Sequence, residues 1–242
     1  MIPREGSRTP ETIDMGEAIR YPVAEDGWLA KAGILALISV VPILNYAAVG
    51  YEVEIARRVA AGAKPLLTPW ADLGAHFRRG LSLAVARYIY FIPVLVLMGL
   101  ALVAAGAALF TIDTSYEAWS WVPGLACGGS FLLGTLLAFV ASAVSPAVTV
   151  RYCEVGTFAS CFDFPGIWRT FRLHPGPHLA VFAWTLALGL ALGLLVGPAS
   201  VFLGLIPCIG VLGYPLLFAA MFSITVLVMA HLEGQLLHVV SP

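Results

Sequence analysis

Charge is what this sequence has least of. Only 11% of its 242 residues are Asp, Glu, Lys or Arg, against about 25% in a soluble globular domain. A water-facing surface cannot be built from so few charges. The formal net charge of −1 also leaves no basic field to attract nucleic acid, and none is expected as a partner.

Other absences narrow the chemistry. The four cysteines, Cys127, Cys153, Cys161 and Cys208, include no C-x-x-C pair. They read as small packing residues or thiols, and a Cys153–Cys161 pair or metal site would call for tighter ligand spacing. There is no G-x-S-x-G elbow, H-E-x-x-H, P-loop or G-x-G-x-x-G motif. The long apolar stretches contain no Asp or Glu, whereas catalysis inside a membrane needs paired acids or a nucleophile beside a base. No enzyme, cofactor or metal site is expected.

What is present is hydrophobic: 60% of residues, with a mean hydropathy of +0.92. A bilayer core of about 30 Å needs roughly 20 apolar residues in a helix. Four stretches are long enough, at 81–110, 124–150, 179–204 and 211–232. A fifth, 32–49, is marginal and interrupted by Pro42-Ile43-Leu44-Asn45. Hydrocarbon offers free backbone no partner, so these stretches are expected to be helical. The fold class is therefore all-α, a polytopic integral membrane bundle forming one domain over residues 28–242. Residues 1–27, with six acids, three arginines and no apolar h-region, read as a polar N-terminal tail without a secretory signal.

Between the stretches the charge alternates. Residues 57–79 carry Arg57, Arg58, Lys64, Arg78 and Arg79, and residues 151–178 carry Arg151, Arg169 and Arg172. Residues 111–123 carry only Asp113 and Glu117, and 205–210 carry no charge. Lys and Arg excess marks the cytoplasmic side. Loops 57–79 and 151–178 and the C-terminus are thus expected inside, at the inner (cytoplasmic) membrane of a cell. Pro42 cannot continue a helical hydrogen-bond ladder, which favours a first segment that bends back and keeps the tail inside. The alternative is one long, kinked helix from 28 to about 60, with the tail outside.

Two loop segments read as amphipathic helices lying in the membrane interface, near 69–80 and 163–173. In the first, Thr68 caps, Pro69 takes the first helical position, and Trp70, Leu73, Phe77 and Leu81 share a face, with Asp72, His76, Arg78 and Arg79 elsewhere. In the second, Asp163 caps and Phe164, Ile167, Trp168 and Phe171 form the stripe, with Arg169 and Arg172 toward water or headgroups. Interface contacts are expected from Trp70, Phe77, Arg78, Arg79, Trp168, Phe171 and Arg172. An offset of 94 residues lays Trp70 on Phe164 and Arg78 on Arg172. Two related halves and chance similarity between amphipathic helices both explain this match.

Gly189, Gly193 and Gly197 repeat every fourth residue, and Ser130 with Gly134, followed by Ala138 with Ser142, makes a weaker face of the same kind. Such stripes let another helix approach backbone to backbone, either within the chain or across a homo-oligomer seam. Asn45, Glu52 and Glu54 are the candidates for a polar path, since ionisable groups inside a bilayer are costly and suspect by default. A solvated or paired end, with Glu54 facing Arg58 at i+4, is the plainer reading. Arg87 is placed to snorkel to the inner headgroups, and His231, Glu233 and Gln235 read as capping or interface contacts.

In chain order, Ala18-Ile19-Arg20-Tyr21-Pro22, Gly27-Trp28-Leu29-Ala30-Lys31, Pro42-Ile43-Leu44-Asn45, Gly50-Tyr51, Pro69-Trp70-Ala71-Asp72 and Phe77 with Gly80-Leu81 form a series. It continues through Arg151-Tyr152 and Phe162-Asp163-Phe164 to His231-Leu232-Glu233-Gly234-Gln235. This series resembles a prokaryotic multi-pass membrane family known only as domain of unknown function 4013. The resemblance covers most of the chain and implies a compact membrane bundle, with no activity and no functional residue attached. From the residues themselves, the expected role is a non-catalytic, self-associating scaffold or a subunit of a membrane assembly, partnered by the lipid bilayer. The alternative is a transporter or channel for a small or lipid-like solute. It rests on the break at 42–45 and a second at Ile206-Pro207-Cys208-Ile209-Gly210, with few polar groups to line a path.

Overall fold

The computed structural model describes residues 13–111, 121–205 and 207–241. The first twelve residues, the loop charges Asp113 and Glu117, Ile206, and the side chains of Pro207, Cys208 and Ile209 lie outside the described set. Among the described residues there is no strand. The helices are α1 (Met15–Arg20), α2 (Trp28–Val40), α3 (Asn45–Ala60), α4 (Leu73–Thr111), α5 (Trp121–Val155), α6 (Phe164–Leu173), α7 (Pro175–Leu205) and α8 (Pro207–Val240). Four of them are long and apolar enough to cross a membrane, over Leu73–Leu109, Trp121–Val155, Pro175–Leu205 and Gly213–Val240. Each carries an interior proline, Pro93, Pro146, Pro198 or Pro215, as membrane helices tolerate.

These helices outrun their apolar stretches. With 39 residues, α4 is about 58 Å long at 1.5 Å per residue, nearly twice the thickness of a bilayer core. The segment near 69–80 accordingly is not a separate interfacial helix. Asp72, rather than Thr68, caps α4 by accepting from the Ala75 N–H at 2.9 Å, and Thr68, Pro69 and Trp70 precede the helix. Gly80 is the only breaker between the polar turns and the apolar ones, and packing holds it helical. The later window, by contrast, forms the discrete helix α6, ended at His174 before Pro175. The two windows therefore sit in different structural settings.

The chain divides into two compact units, Met1–Ala84 with Pro146–Pro242, and Val85–Ser145. In the smaller unit, α4 and α5 meet where a Cβ on buried Gly134 would collide with the Met98 side chain and lie 3.3 Å from Leu97 Cβ. The weaker small-residue face is thus used inside the unit, by α4. Leu95, Leu102, Leu132 and Leu136 are exposed, an apolar exterior that suits hydrocarbon.

The larger unit is built on α8. The first hydrophobic segment is two helices, α2 and α3, separated at residues 41–44 by Pro42 and the turn around it. At 13 and 16 residues they measure about 20 and 24 Å, too short to cross singly. They fold back on each other along α8. The α2–α3 turn lies beside Tyr214, Pro215 and Phe218, while the far end of α3 meets α8 through His238 Nδ1 and Ala60 O at 2.9 Å. The straight kinked helix is thereby excluded. The core between them is Tyr21, Leu35, Ala48, Tyr51, Ile55, Leu67, Val226, Leu227 and Ala230. Residues 13–27 are not a free tail. Met15, Ala18 and Tyr21 make a small buried stripe, and the Tyr21 hydroxyl donates to Leu227 O at 2.9 Å.

Candidate functional site

The polar chemistry of the larger unit gathers on α3. This helix crosses the start of α4 with backbone nearly touching backbone. A Cβ on Gly50 would overlap the His76 carbonyl, and one on Gly80 would overlap the Tyr46 carbonyl. One turn further along α3, Glu54 accepts from Arg79 at 2.6 Å and Arg58 at 3.2 Å. Neighbouring Arg57 donates to the Cys153 carbonyl at 3.0 Å and to the Tyr152 carbonyl at 3.4 Å, a cation on the C-terminal end of α5 where the helix dipole favours it. The Tyr152 hydroxyl in turn donates to Arg79 O at 3.1 Å. Much of the basic charge at 57–79 therefore joins helices instead of facing water. Of the expected interface residues here, Arg78 is exposed and Arg79 is paired inward.

Burial is the largest influence on Glu54 and pushes its carboxyl upward, but the hydrogen bonds and charges of Arg79 and Arg58 outweigh it and leave it below 4.5. A carboxyl depressed in the folded state stabilises the fold at pH values above its unfolded value and loses that contribution as pH falls through the folded one. Glu54→Gln is accordingly expected to cost about 1–2 kcal/mol at pH 7. The difference from wild type should shrink as pH drops below 4.5, read as thermal midpoints in detergent between pH 7 and 3. A gap that stays constant across that range would show that the ion pairs do not carry the effect.

Trp70 is half-buried and packs onto α3. Its ring stacks on Tyr51 with centroids 4.2 Å apart, edge-on to His76 at 5.6 Å. Its Nε1 donates to the Lys31 carbonyl at 3.2 Å. The Tyr51 hydroxyl donates to Thr68 O at 2.9 Å, Lys31 Nζ to Leu67 O at 2.7 Å, and the N–H groups of Leu66 and Leu67 to the Glu25 carboxylate. The segment before α4 is thus clamped onto α2 and α3. The face expected from Trp70, Leu73, Phe77 and Leu81 divides: Leu73 and Leu81 are exposed, Phe77 is half-buried edge-on to Tyr46, and His76, Gly80 and Leu83 form the packed side.

On α6 the cap is the expected one, with Asp163 Oδ1 accepting from the Gly166 N–H at 3.1 Å. The same carboxylate accepts from Arg151 Nε and Nη2 at 3.0 and 2.7 Å; first Arg151 and then the Gly166 N–H hold it below its ordinary value. Ile167 is buried, whereas Phe164 and Trp168 are exposed, as are Arg169 and Arg172. Phe171 is half-buried and stacks on Trp168 at 5.9 Å.

The residues near the end of α8 are inward contacts. Gln235 accepts from the Asp14 N–H at 2.7 Å, donates to Asp14 O at 3.0 Å and meets His231 Nδ1 at 2.9 Å. His231 stacks on Tyr21 at 4.6 Å, and Glu233 is buried. Cys153 and Cys161, both buried, are not joined by a disulfide, and among the described residues no three His, Cys, Asp or Glu side chains gather as metal ligands.

The remaining candidates lie apart from one another. Asn45 begins α3 at the hairpin turn, while Glu52 is buried and Glu54 ion-paired further along. A Cβ at Gly189, Gly193 or Gly197 meets nothing within 4 Å, and all three are exposed. This second stripe is not used for packing within its own unit.

Long apolar helices, a short folded-back helix pair and a polar network at one end define the class: an all-α, multi-pass membrane protein. The chain belongs to the family described as Protein of unknown function (DUF4013), whose match covers residues 34–205. That span leaves α1 and α8 outside it, with the series residues Ala18 to Pro22, Gly27 to Lys31 and His231 to Gln235. No curated protein and no solved structure matches the chain.

Proposed function

We propose that this is a non-catalytic inner-membrane protein that self-associates through α7, serving as a scaffold or as a subunit of a membrane assembly. The supporting observation is the contrast between its two small-residue faces. Gly134 is filled by Met98, whereas Gly189, Gly193 and Gly197 stand open. Close approach of a second helix is what such a stripe offers in lipid. In this arrangement loops 57–79 and 151–178 face the cytoplasm, and the tail does too, because Asp14 is bonded to Gln235 near the end of α8.

The test is Gly193→Leu. A Cβ there meets no neighbour, and leucine is a better helix former than glycine by somewhat less than about 1 kcal/mol, so the monomer should fold unchanged. Wild type in nanodiscs should have the mass of a defined homo-oligomer and the variant the mass of a monomer. Equal masses for the two would remove α7 as the seam.

A second reading, movement of a small or lipid-like solute, is supported by one convergence. The break at Pro42 and Asn45 lies against Tyr214 and the interior proline of α8, Pro215.

A further inference from the structure

The level of α6 in the membrane follows from the two spans that hold its ends. Its first turn is tied to the end of α5, where Arg151 donates to the capping Asp163. At its other end only His174 separates Leu173 from Pro175, the first residue of α7. α7 runs for 31 residues, about 46 Å at 1.5 Å per residue, and contains no Asp, Glu, Lys or Arg. At an ordinary tilt of about 20° that length matches a bilayer with its headgroups included, about 40–45 Å. Leu179 and Leu205, near the two ends of α7, are both exposed, so the apolar surface runs nearly from end to end. Both ends of α7 therefore reach headgroup layers, and α6 lies along one of them between two span ends.

The faces of α6 divide sharply. Gly166 and Ile167 form its buried side. Phe171 meets His178 of α7 edge-on at 5.4 Å and stacks on Trp168 at 5.9 Å, so a row of rings leads outward from α7. Phe164 and Trp168 stand at the exposed edge of that row. Arg172 and Arg169 follow about 40° and 100° further round the helix than Trp168, and both are exposed. An aromatic edge and a cationic edge thus face outward side by side. α6 contains no acid, and the nearby carboxylates of Asp163 and Glu154 are engaged by Arg151 at 2.7 and 3.0 Å. Among the described residues neither Arg169 nor Arg172 forms an ion pair, although Arg169 adds a longer-range attraction to Asp163.

These two edges define the partner. Tryptophan rings at headgroup depth rest against the glycerol and upper acyl region, and a guanidinium takes two oxygens of a phosphate at once. A phospholipid supplies both in one molecule. A choline or ethanolamine head cancels its own phosphate charge, whereas an anionic head leaves that charge to be met by the arginines. We infer that α6 is a docking site for anionic phospholipid, with Arg169 and Arg172 on the headgroup phosphates and Phe164 and Trp168 against the chains below. Apolar contact and attraction to anionic lipid add in such a helix. The site requires α7 to cross a bilayer, but neither the glycine seam nor the side of the membrane on which α6 lies.

The full chain in phosphatidylcholine vesicles containing brominated phosphatidylglycerol tests this, with brominated phosphatidylcholine as the parallel series. Bromine quenches tryptophan on contact, and the difference between wild type and Trp168→Phe isolates this ring among the six tryptophans. At low salt, half-quenching should need about thirty-fold less brominated phosphatidylglycerol than brominated phosphatidylcholine, about five-fold for each arginine. The preference should shrink as salt is raised. Arg169→Gln combined with Arg172→Gln, both at exposed positions, should bring the ratio to about one and leave quenching by brominated phosphatidylcholine as in wild type. Either single variant should retain about five-fold. The proposal is overturned if neither lipid quenches Trp168, if both quench it equally in wild type, or if the double variant keeps the preference.

Discussion

Gly80→Ala is expected to destabilise the protein by at least about 3 kcal/mol, and Gly50→Ala by a similar amount. Intrinsic propensity predicts the opposite sign, since alanine is favoured over glycine in a helix interior by about 1 kcal/mol. The two glycines lie in α3 and in the first turns of α4, and each added Cβ would run into the other helix's carbonyl. Flexible side-chain ends can move aside for a new methyl group. A main-chain carbonyl bound into its own helix cannot, so the helices would have to separate. That would strain the Glu54–Arg79 pair and the Tyr152–Arg79 bond on the same crossing. Gly99 in α4, where a Cβ meets nothing within 4 Å, is the control, and Gly99→Ala should be neutral or stabilising by up to about 1 kcal/mol. Thermal unfolding in detergent followed by circular dichroism separates the cases. Gly80→Ala and Gly99→Ala with the same midpoint would refute the close crossing.

Those two glycines mark where reading the sequence runs out. The long helices are legible because crossing a bilayer imposes a length and forbids charge, both visible in the chain itself. The break at Pro42 and the Asp163 cap are legible for the same local reason. Helix onset at Leu73 is less so. Thr68 and Asp72 are both competent caps, and the choice is made by Tyr51, which holds Thr68 O in a hydrogen bond outside the helix. The docking of residues 13–27 depends on Asp14 meeting Gln235, 221 positions away, for which no spacing rule exists. Glu54 shows both situations at once. Its pairing with Arg58 is a four-residue pattern, whereas Arg79 joins it only because Gly50 and Gly80 let α3 and α4 approach. The glycines of α7 were visible as a stripe, but a stripe does not say what lies against it, and the structure shows the space open within its unit.

The strongest side-chain effect is expected at Tyr51, which is wholly buried between Trp70, His76 and the core beside α8. Burial raises its hydroxyl well above the ordinary value near 10, so it remains a protonated donor to Thr68 throughout the accessible pH range. Tyr51→Phe keeps the ring and leaves the buried Thr68 carbonyl without that donor, at a cost of about 1 kcal/mol. Tyr51→Ala also removes the ring and opens a cavity, for about 3–5 kcal/mol. The larger loss should be local in consequence as well. With the stack gone, the Trp70 ring keeps its edge-on contact with His76 and the Nε1 bond to Lys31 O, and the segment before α4 should loosen from α2 and α3. Hydrogen exchange by mass spectrometry reads this directly. Peptides covering residues 61–72 should lose protection in Tyr51→Ala and keep most of it in Tyr51→Phe, while the α7 peptides stay unchanged in both. Uniform loss across all peptides would instead mean that Tyr51 supports the whole unit, and the picture of a clamp specific to this segment would fall.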